Sequence, residues 1–159
     1  MSYTTLIKET IGHVSFHIGP KSFFQTNTRQ GKNLYDITAE YAGLTGTENV
    51  YDLYTGIGSI GQYVAKDAKS VVGIEEIAAA IDDAKINAEM NGLDNCTWYA
   101  GRTENILTTE FAAKHGRPDV LITDPPRAGM HPKVIPMLLE LAAPVIVYVS
   151  CNPGTQARD

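Results

Sequence analysis

The chain reads VYDLYTGIGSIG at residues 50–61, an apolar strand pattern that runs directly into a glycine-rich loop. This glycine loop (residues 56–61) has the spacing G-x-G-x-x-G, in which glycines let the backbone approach a bound ligand closely. A second apolar run, VVGI at residues 71–74, ends at Glu75. A carboxylate in that place can accept hydrogen bonds from ribose hydroxyls. The order of strand, loop, helix, strand and acid therefore predicts a site for a nucleoside-containing ligand.

The glycine loop by itself leaves the kind of ligand open. A nicotinamide dinucleotide and S-adenosylmethionine both contain adenosine, so Gly56, Gly58 and Glu75 suit either cofactor. The remaining alternative is a tight turn followed by a carboxylate that caps a helix.

Apolar strand patterns and helical patterns alternate along the rest of the chain. Strands are expected near residues 49–54, 70–74, 95–100, 119–123 and 144–150. The alternation predicts right-handed βαβ units, and hence an α/β fold with a doubly wound, mainly parallel sheet. An alternating segment at residues 14–18 is expected to lie outside that sheet. We divide the chain into an N-terminal strand segment at residues 1–27 and one domain at residues 28–159.

Two helices can be placed from their end signals. One follows Thr28, a possible N-cap, and ends at Gly43. Leu34, Ile37 and Tyr41 fall on one face of this helix. Another ends at Asn91-Gly92, where glycine can adopt the left-handed conformation.

Composition limits the classes of function. No run in the 159 residues approaches the roughly 18 apolar residues of a membrane helix, and residues 1–10 have no signal-peptide core. Cys96 and Cys151 lack metal-site and disulfide spacing, which favours a cytoplasmic protein without a metal. The net charge of −5 argues against a free-standing RNA binder, although an RNA-modifying enzyme could bind through other segments.

A second strand end, VLITDPPR at residues 120–127, brings Asp124 and two prolines to the same edge of the sheet. Prolines stiffen the turn after a strand, so Asp124 is expected to project into the crevice. Enzymes that methylate amino groups of adenine or cytosine carry a similar Asp-Pro-Pro followed by an aromatic residue, whereas Arg127 follows here. The alternative is that Asp124 caps the next helix.

A third strand end, VYVSCNP at residues 147–153, presents Cys151 at a turn. A position at the start of a helix favours the thiolate, which is the nucleophilic form of cysteine. Cys151 is therefore a candidate nucleophile, whereas the default role of a buried cysteine is that of a small inert apolar residue. We expect that default for Cys96.

Taken together, these motifs resemble the RNA uracil-C5 methyltransferases, which use S-adenosylmethionine to make 5-methyluridine in transfer or ribosomal RNA. The resemblance runs in family order from about residue 12 to the end of the chain. The matching stretches are SFFQTN (residues 22–27), DLYTGIG (52–58), VGIE (72–75), DPPRAG (124–129) and YVSCNP (148–153). The resemblance implies a Rossmann-like class I methyltransferase fold with S-adenosylmethionine as its cofactor.

The resemblance also implies a role for each matching residue. It makes Cys151 the catalytic nucleophile, which adds to carbon 6 of the uracil, and places Asp124 at the reacting site. The implied cofactor-binding residues are Gln25, Tyr54, Gly56, Gly58, Ser59, Glu75 and Asp124. The implied substrate-binding residues are Phe23, Gln25 and Arg127, with Phe23 stacking on an extruded uracil. Core packing is an alternative role for Phe23.

Some positions depart from the family pattern. Thr55 stands where cysteine is common, and Arg102 stands where an acidic residue is usual. The glutamate that serves the family as general base lies beyond Cys151 in a segment absent from this sequence. We therefore expect a catalytic-domain fragment, truncated at its C-terminus and without multiple turnover.

Several functions and partners stay open at this point. The Asp-Pro-Pro-Arg-Ala-Gly and Ser-Cys-Asn-Pro stretches look closer to the ribosomal branch, which favours ribosomal over transfer RNA as substrate. A nicotinamide-dependent oxidoreductase and a cofactor-binding module without catalysis are the alternatives. The sheet edge beside the strand that ends at Cys151 is expected to be open, which predicts self-association.

Overall fold

The computed structural model describes residues 7–19, 28–149 and 153–159. Its elements in chain order are β1 (Ile7–Ile11), β2 (Val14–Ile18), α1 (Thr28–Ala42), β3 (Asn49–Leu53), α2 (Ser59–Ala65), β4 (Ser70–Glu75), α3 (Ala78–Met90), β5 (Cys96–Ala100), α4 (Thr103–Ile106), α5 (Thr109–His115), β6 (Val120–Thr123), α6 (Val134–Leu141), β7 (Val145–Tyr148) and α7 (Pro153–Arg158).

Strands β3 to β7 form one parallel sheet in the order β5-β4-β3-β6-β7. The chain moves outward from β3 in one direction through β4 and β5, and in the other direction through β6 and β7. The strand order therefore reverses between β3 and β6, and a crevice forms outside the carboxyl ends of these two strands. The predicted doubly wound α/β fold is confirmed.

Apolar residues fill both faces of this sheet. One core cluster joins the sheet to α1, α2, α3 and the hairpin, and includes Phe16, Val50 and Ile81. The other joins the sheet to α5 and α6, and includes Leu121 and Leu138. Within the described ranges, no helix combines the length and hydropathy needed to cross a bilayer.

Strands β1 and β2 form an antiparallel hairpin that is separate from the main sheet, as predicted for residues 14–18. Side-chain amides of α3 pair with the free edge of β2. Asn87 accepts from the His17 amide at 2.8 Å and donates to the His17 carbonyl at 2.9 Å, and Asn91 pairs with Ser15 in the same way at 3.0 and 2.9 Å. Asn87 and Asn91 are four residues apart along the helical direction, a rise of about 6 Å, and Ser15 and His17 are two residues apart on a strand, a rise of about 6.6 Å. The two spacings therefore match along the contact.

Of the three residues predicted to share one face of α1, only Leu34 packs against the core. Ile37 and Tyr41 are 49% and 72% exposed, whereas Tyr35, Thr38 and Ala42 are buried. Both sets have helical spacing, so apolar periodicity could not decide between them. The predicted ends of α1 and α3 are confirmed, because Gly43 and Gly92 have φ angles of 60° and 68°.

Trp98 of β5 packs against glycines of the glycine loop and of β4. A Cβ atom added at Gly73 would lie 2.3 Å from Trp98 Cε3, and one at Gly58 would lie 2.7 Å from Trp98 Cη2. Gly58 also has a φ of 79°, in the left-handed region that favours glycine. Trp98 thus sets how closely the glycine loop and β4 can approach β5.

We predict that Gly73→Ala lowers the free energy of unfolding by about 3 kcal/mol, because the added methyl overlaps the indole. In a Trp98→Leu background the same substitution should cost much less, since the smaller side chain leaves room for the methyl. Urea denaturation of the two single variants and the double variant measures this coupling. An equal cost in both backgrounds would show that the Gly73–Trp98 contact is not the cause.

Candidate functional site

A cavity of about 630 Å³ lies at the carboxyl ends of β3, β4 and β6, where the strand order reverses. Its size is within the range of small-molecule sites. Its walls come from α1, the glycine loop, the start of α3 and the loop that follows β6. The lining residues are Leu34, Tyr35, Asp52, Tyr54, Thr55, Gly56, Ile57, Ser59, Ile60, Glu75, Glu76, Ile77, Ala80, Asp124, Pro125, Pro126, Arg127 and Val149.

Most of the site residues expected from the sequence meet in this cavity. Those that line it are Tyr54, Gly56, Ser59, Glu75, Asp124 and Arg127. Gly58 lies behind the lining, where it contacts Trp98. Phe23, Gln25 and Cys151 lie outside the described residues.

Asp52, which was not expected from the sequence, anchors the glycine loop from beneath. Its side chain is buried, and its Oδ2 accepts from the Thr55 hydroxyl at 2.5 Å and from the Gly61 amide at 3.0 Å. A threonine hydroxyl is a stronger donor than the cysteine thiol that is common in the family at this position. Thr55, which departs from the family pattern, therefore holds the loop through its hydroxyl.

Glu75 connects the glycine loop to the start of α3. Its Oε1 accepts from the Gly56 amide at 3.1 Å, and its Oε2 accepts from the Ile77 amide at 2.8 Å. Ile77 is the N-cap residue of α3. Glu75 therefore also contributes to capping this helix, which was the alternative role given for it from the sequence. A carboxylate has about four acceptor positions, which leaves two for hydroxyl groups of a ligand.

Asp124 follows β6 at the start of the proline loop (residues 124–130), which continues the cavity wall. The next helix, α6, begins ten residues later at Val134, with Lys133 as its N-cap residue. The alternative that Asp124 caps this helix is therefore wrong. Its amide donates to the Leu53 carbonyl at 3.3 Å, which ties the proline loop to β3.

Burial disfavours the ionised forms of two acids of the cavity, and for Asp52 a neighbouring acid adds to the effect. Burial, and then the charge of Asp124, raise the pKa of Asp52 to about 7 from 3.8, and burial raises the pKa of Asp124 to about 6. For each acid, the contribution to folding stability is complete below pH 3.8 and is lost as the pH rises through its folded pKa. A positively charged ligand would relieve this cost, so the electrostatics of the cavity favour a cation.

Two tyrosines complete the wall. The Tyr35 hydroxyl donates to Ser59 Oγ at 2.7 Å, and burial raises the pKa of Tyr35 to about 12. Tyr54 has a φ of 58°, a left-handed backbone conformation that is uncommon for a residue with a side chain. Such strain persists where the surrounding structure holds it, most often at functional sites.

The sequence contained a signal for Asp52 but none for Tyr35. Asp52 is an acidic residue inside an apolar strand, four residues before the first glycine of the loop. Tyr35 enters the site through the packing of α1, which local spacing does not reveal. Arg102 lies outside the cavity lining and forms an exposed ion pair with Glu76, Nε to Oε1 3.3 Å. In the described part of the chain, no group of three or more His, Cys, Asp or Glu residues could hold a metal ion.

Solved structures share this fold. A tRNA (uracil-54, C5)-methyltransferase from Pyrococcus abyssi, crystallised with S-adenosyl-L-homocysteine, superimposes with a TM-score of 0.84 at 38% sequence identity. The match covers 97% of this chain and 36% of that one. A SAM-dependent methyltransferase from Agrobacterium tumefaciens has a TM-score of 0.71 at 16% identity over 96% of this chain and 55% of that one, which shows the fold alone.

Sequence comparisons agree with the structural ones. Uncharacterized RNA methyltransferases from Bacteroides thetaiotaomicron and Porphyromonas gingivalis are 56% and 57% identical over 95% and 96% of this chain. The chain spans 33% of the length of these curated relatives. The family model for tRNA (uracil-5-)-methyltransferase matches residues 10–159. The chain therefore belongs to the tRNA (uracil-5-)-methyltransferase family.

Proposed function

We propose that this chain forms the cofactor site and part of the catalytic site of an enzyme that methylates carbon 5 of a uridine in RNA, with S-adenosylmethionine as methyl donor. The observation that carries the proposal is the cavity at the reversal of strand order. There, the ends of three neighbouring strands bring together the glycine loop, Glu75 and Asp124.

The lining of the cavity suits the parts of S-adenosylmethionine. Glu75 has acceptor positions for the ribose hydroxyls, and Ile57, Ile60 and Ile77 offer an apolar surface for the adenine. Asp52 and Asp124 favour a positive charge, which this cofactor carries on its sulfonium. When bound, the cofactor supplies an electrophilic methyl group.

Carbon 5 of uracil is a weak nucleophile, and Cys151 is proposed to activate it. The Cys151 thiolate adds to carbon 6, so a new S–C bond forms and electron density moves onto carbon 5. After methylation, a base must take the proton from carbon 5 so that the sulfur can leave. Family membership supports this mechanism. Phe23 and Gln25 are proposed to hold the extruded uracil, together with Arg127, whose side chain is exposed at the cavity.

We propose ribosomal RNA as the substrate, with transfer RNA as the second candidate. The DPPRAG and SCNP stretches support the ribosomal branch. The second candidate is favoured by the Pyrococcus abyssi tRNA methyltransferase, at 38% identity. Either RNA implies a cytoplasmic enzyme, which we include in the proposal.

We also propose that the chain can self-associate through β7. This strand is at the edge of the sheet, and its Ile146 is 48% exposed. An open edge with an apolar side chain is a template for pairing with a second chain. An increase in scattering mass with protein concentration would support this contact, and a constant monomer mass would contradict it.

We predict that Glu75→Gln weakens S-adenosylhomocysteine binding by about one to two decades, because a charge-assisted hydrogen bond contributes about 1.5 to 3 kcal/mol. The amide oxygen of glutamine can still accept from the loop, so the fold should persist. Calorimetric titration measures the affinity, with Glu89→Gln on the exposed face of α3 as the control variant. Unchanged affinity in a folded Glu75→Gln protein would contradict the assignment, and tighter binding of NAD would favour an oxidoreductase.

We predict that S-adenosylmethionine gains affinity relative to S-adenosylhomocysteine as the pH rises from 5.5 to 8.5. The pKa values of about 6 for Asp124 and about 7 for Asp52 mean that both acids ionise across this range. A ligand that carries one more positive charge binds the ionised form better, and a decrease of one unit in a pKa on binding corresponds to about tenfold in affinity.

Calorimetry with both ligands at both pH values tests this prediction. Asp124→Asn should reduce the pH dependence of the affinity ratio, whereas the exposed Asp94→Asn should leave it unchanged. A ratio that stays constant with pH in the unsubstituted protein would mean that the cavity acids do not sense the sulfonium charge.

We predict that Cys151, and not Cys96, forms a covalent adduct with RNA. Burial raises the pKa of Cys96 to about 12, so its thiol stays protonated, which makes Cys96→Ala the matched control. RNA that contains 5-fluorouridine traps the adduct after methylation, because carbon 5 then has no proton for a base to remove.

Denaturing gels with S-adenosylmethionine and fluorinated ribosomal or transfer RNA test both the nucleophile and the substrate. We expect an adduct with the unsubstituted chain and with Cys96→Ala, none with Cys151→Ala, and more adduct with ribosomal RNA. An adduct that persists in Cys151→Ala would refute the proposed nucleophile, and a preference for transfer RNA would establish the second candidate.

A further inference from the structure

The proline loop (residues 124–130) follows β6, leads toward α6 and forms one wall of the cavity. Its first four residues line the cavity, and its last, Met130, is buried. Within the loop, the Gly129 amide donates to the Pro126 carbonyl at 2.8 Å, and Gly129 has a φ of 84°. This turn lies within the loop and does not connect Met130 to β6 or β7.

The Thr123 hydroxyl of β6 donates to Met130 Sδ at 3.4 Å, and the carboxylate of Asp159 adds a connection to β7. Its Oδ2 accepts from the Met130 amide at 2.9 Å and from the Tyr148 hydroxyl at 2.7 Å. The side chain of Asp159 is 3% exposed. One carboxylate oxygen thus joins the proline loop, which follows β6, to the last residue of β7.

Arg158 adds a second contact from the same end of α7. Its Nη2 donates to the Ala128 carbonyl at 2.8 Å and to Asp159 Oδ1 at 2.9 Å. Two backbone groups of the proline loop, the Met130 amide and the Ala128 carbonyl, are therefore held by neighbouring residues of α7 and its end.

The contacts also shift the pKa values of Asp159 and Tyr148. The Met130 amide, the largest favourable contributor, holds the pKa of Asp159 below its usual range, while burial raises the pKa of Tyr148 to about 12. The pair is thus an ionised acceptor and a protonated donor at neutral pH.

We propose that Asp159 is a positioning residue of the cofactor site, which holds the proline loop so that Asp124 and Pro125 keep their places in the cavity wall. The proposal rests on the proposed function, because it takes S-adenosylhomocysteine as a ligand of this cavity. Asp159 acts through the loop backbone and is not part of the cavity lining.

Three substitutions separate the contacts. Asp159→Asn keeps one oxygen that can accept from both Met130 and Tyr148, but it loses the negative charge and the Oδ1 acceptor of Arg158. Asp159→Leu has a similar shape but no acceptor. Tyr148→Phe removes one donor and leaves the Met130 contact in place.

Glu48→Leu is the matched control for a loss of stability. Glu48 accepts from three backbone amides, those of Thr45, Gly46 and Thr47, at 2.9 to 3.2 Å. It lies just before β3, at the edge of the sheet opposite the cavity. Removing its carboxylate should lower the melting temperature without moving the proline loop.

Calorimetric titration with S-adenosylhomocysteine is the first measurement. We expect Asp159→Leu to bind about tenfold more weakly than Glu48→Leu, and Asp159→Asn to remain within about threefold of the unsubstituted chain. If Asp159→Leu binds as well as Glu48→Leu, the positioning role is overturned. If Asp159→Leu does not fold, Tyr148→Phe takes its place, with an expected loss of about threefold.

Hydrogen exchange of the Met130 amide in the ligand-free chain is the second measurement. We expect slow exchange in the unsubstituted chain, in Asp159→Asn and in Glu48→Leu, and faster exchange in Asp159→Leu. Failure of the unsubstituted chain to bind S-adenosylhomocysteine would refute the proposed function, whereas the exchange rates would still test the contact. Equal exchange of the Met130 amide in all variants would overturn the contact itself.

Discussion

The buried carboxylate of Asp52 is the interaction on which the site depends. It lies at the end of the central strand β3 and accepts from Thr55 and from the Gly61 amide, so it sets the path of the glycine loop between them. With little solvent around it, this acid has few other partners. The position of the glycine loop in turn determines where Glu75 meets the Gly56 amide, and hence the shape of the cavity.

Asp52, Glu75 and Asp124 create an electrostatic cost that the fold tolerates. Burial raises the pKa values of Asp52 and Asp124, and the charge of Asp124 raises that of Asp52 further, so their ionised forms destabilise the free protein near neutral pH. A core without function would replace these acids with apolar residues. The cost is understandable if a cationic ligand occupies the cavity, because its charge removes the repulsion. Stability and the proposed cofactor binding are therefore properties of the same three side chains.

The local sequence determined the architecture and much of the site. Apolar strands that alternate with helices specify a parallel doubly wound sheet, since short connections and right-handed crossovers leave few other arrangements. Residues directly after such strands must meet at the carboxyl edge. Glu75 and Asp124 could therefore be assigned to one site from their positions alone, and both line the cavity. The same reasoning applies to Cys151, which follows β7 but lies outside the described residues.

Tertiary packing decided what local pattern left open. Helix α1 buries Tyr35 and exposes Tyr41, although both fit a helical apolar stripe, and the buried Tyr35 packs in the core and donates to Ser59. The contact between Asp159 and Met130 depends on the pairing of β6 with β7, so no local sequence motif predicts it. The sequence by itself therefore determined the alternation of strands and helices and which motifs share an edge, since these follow from local periodicity and chain connectivity. Only the tertiary structure decided which side chains complete the site, because such contacts depend on how distant segments pack.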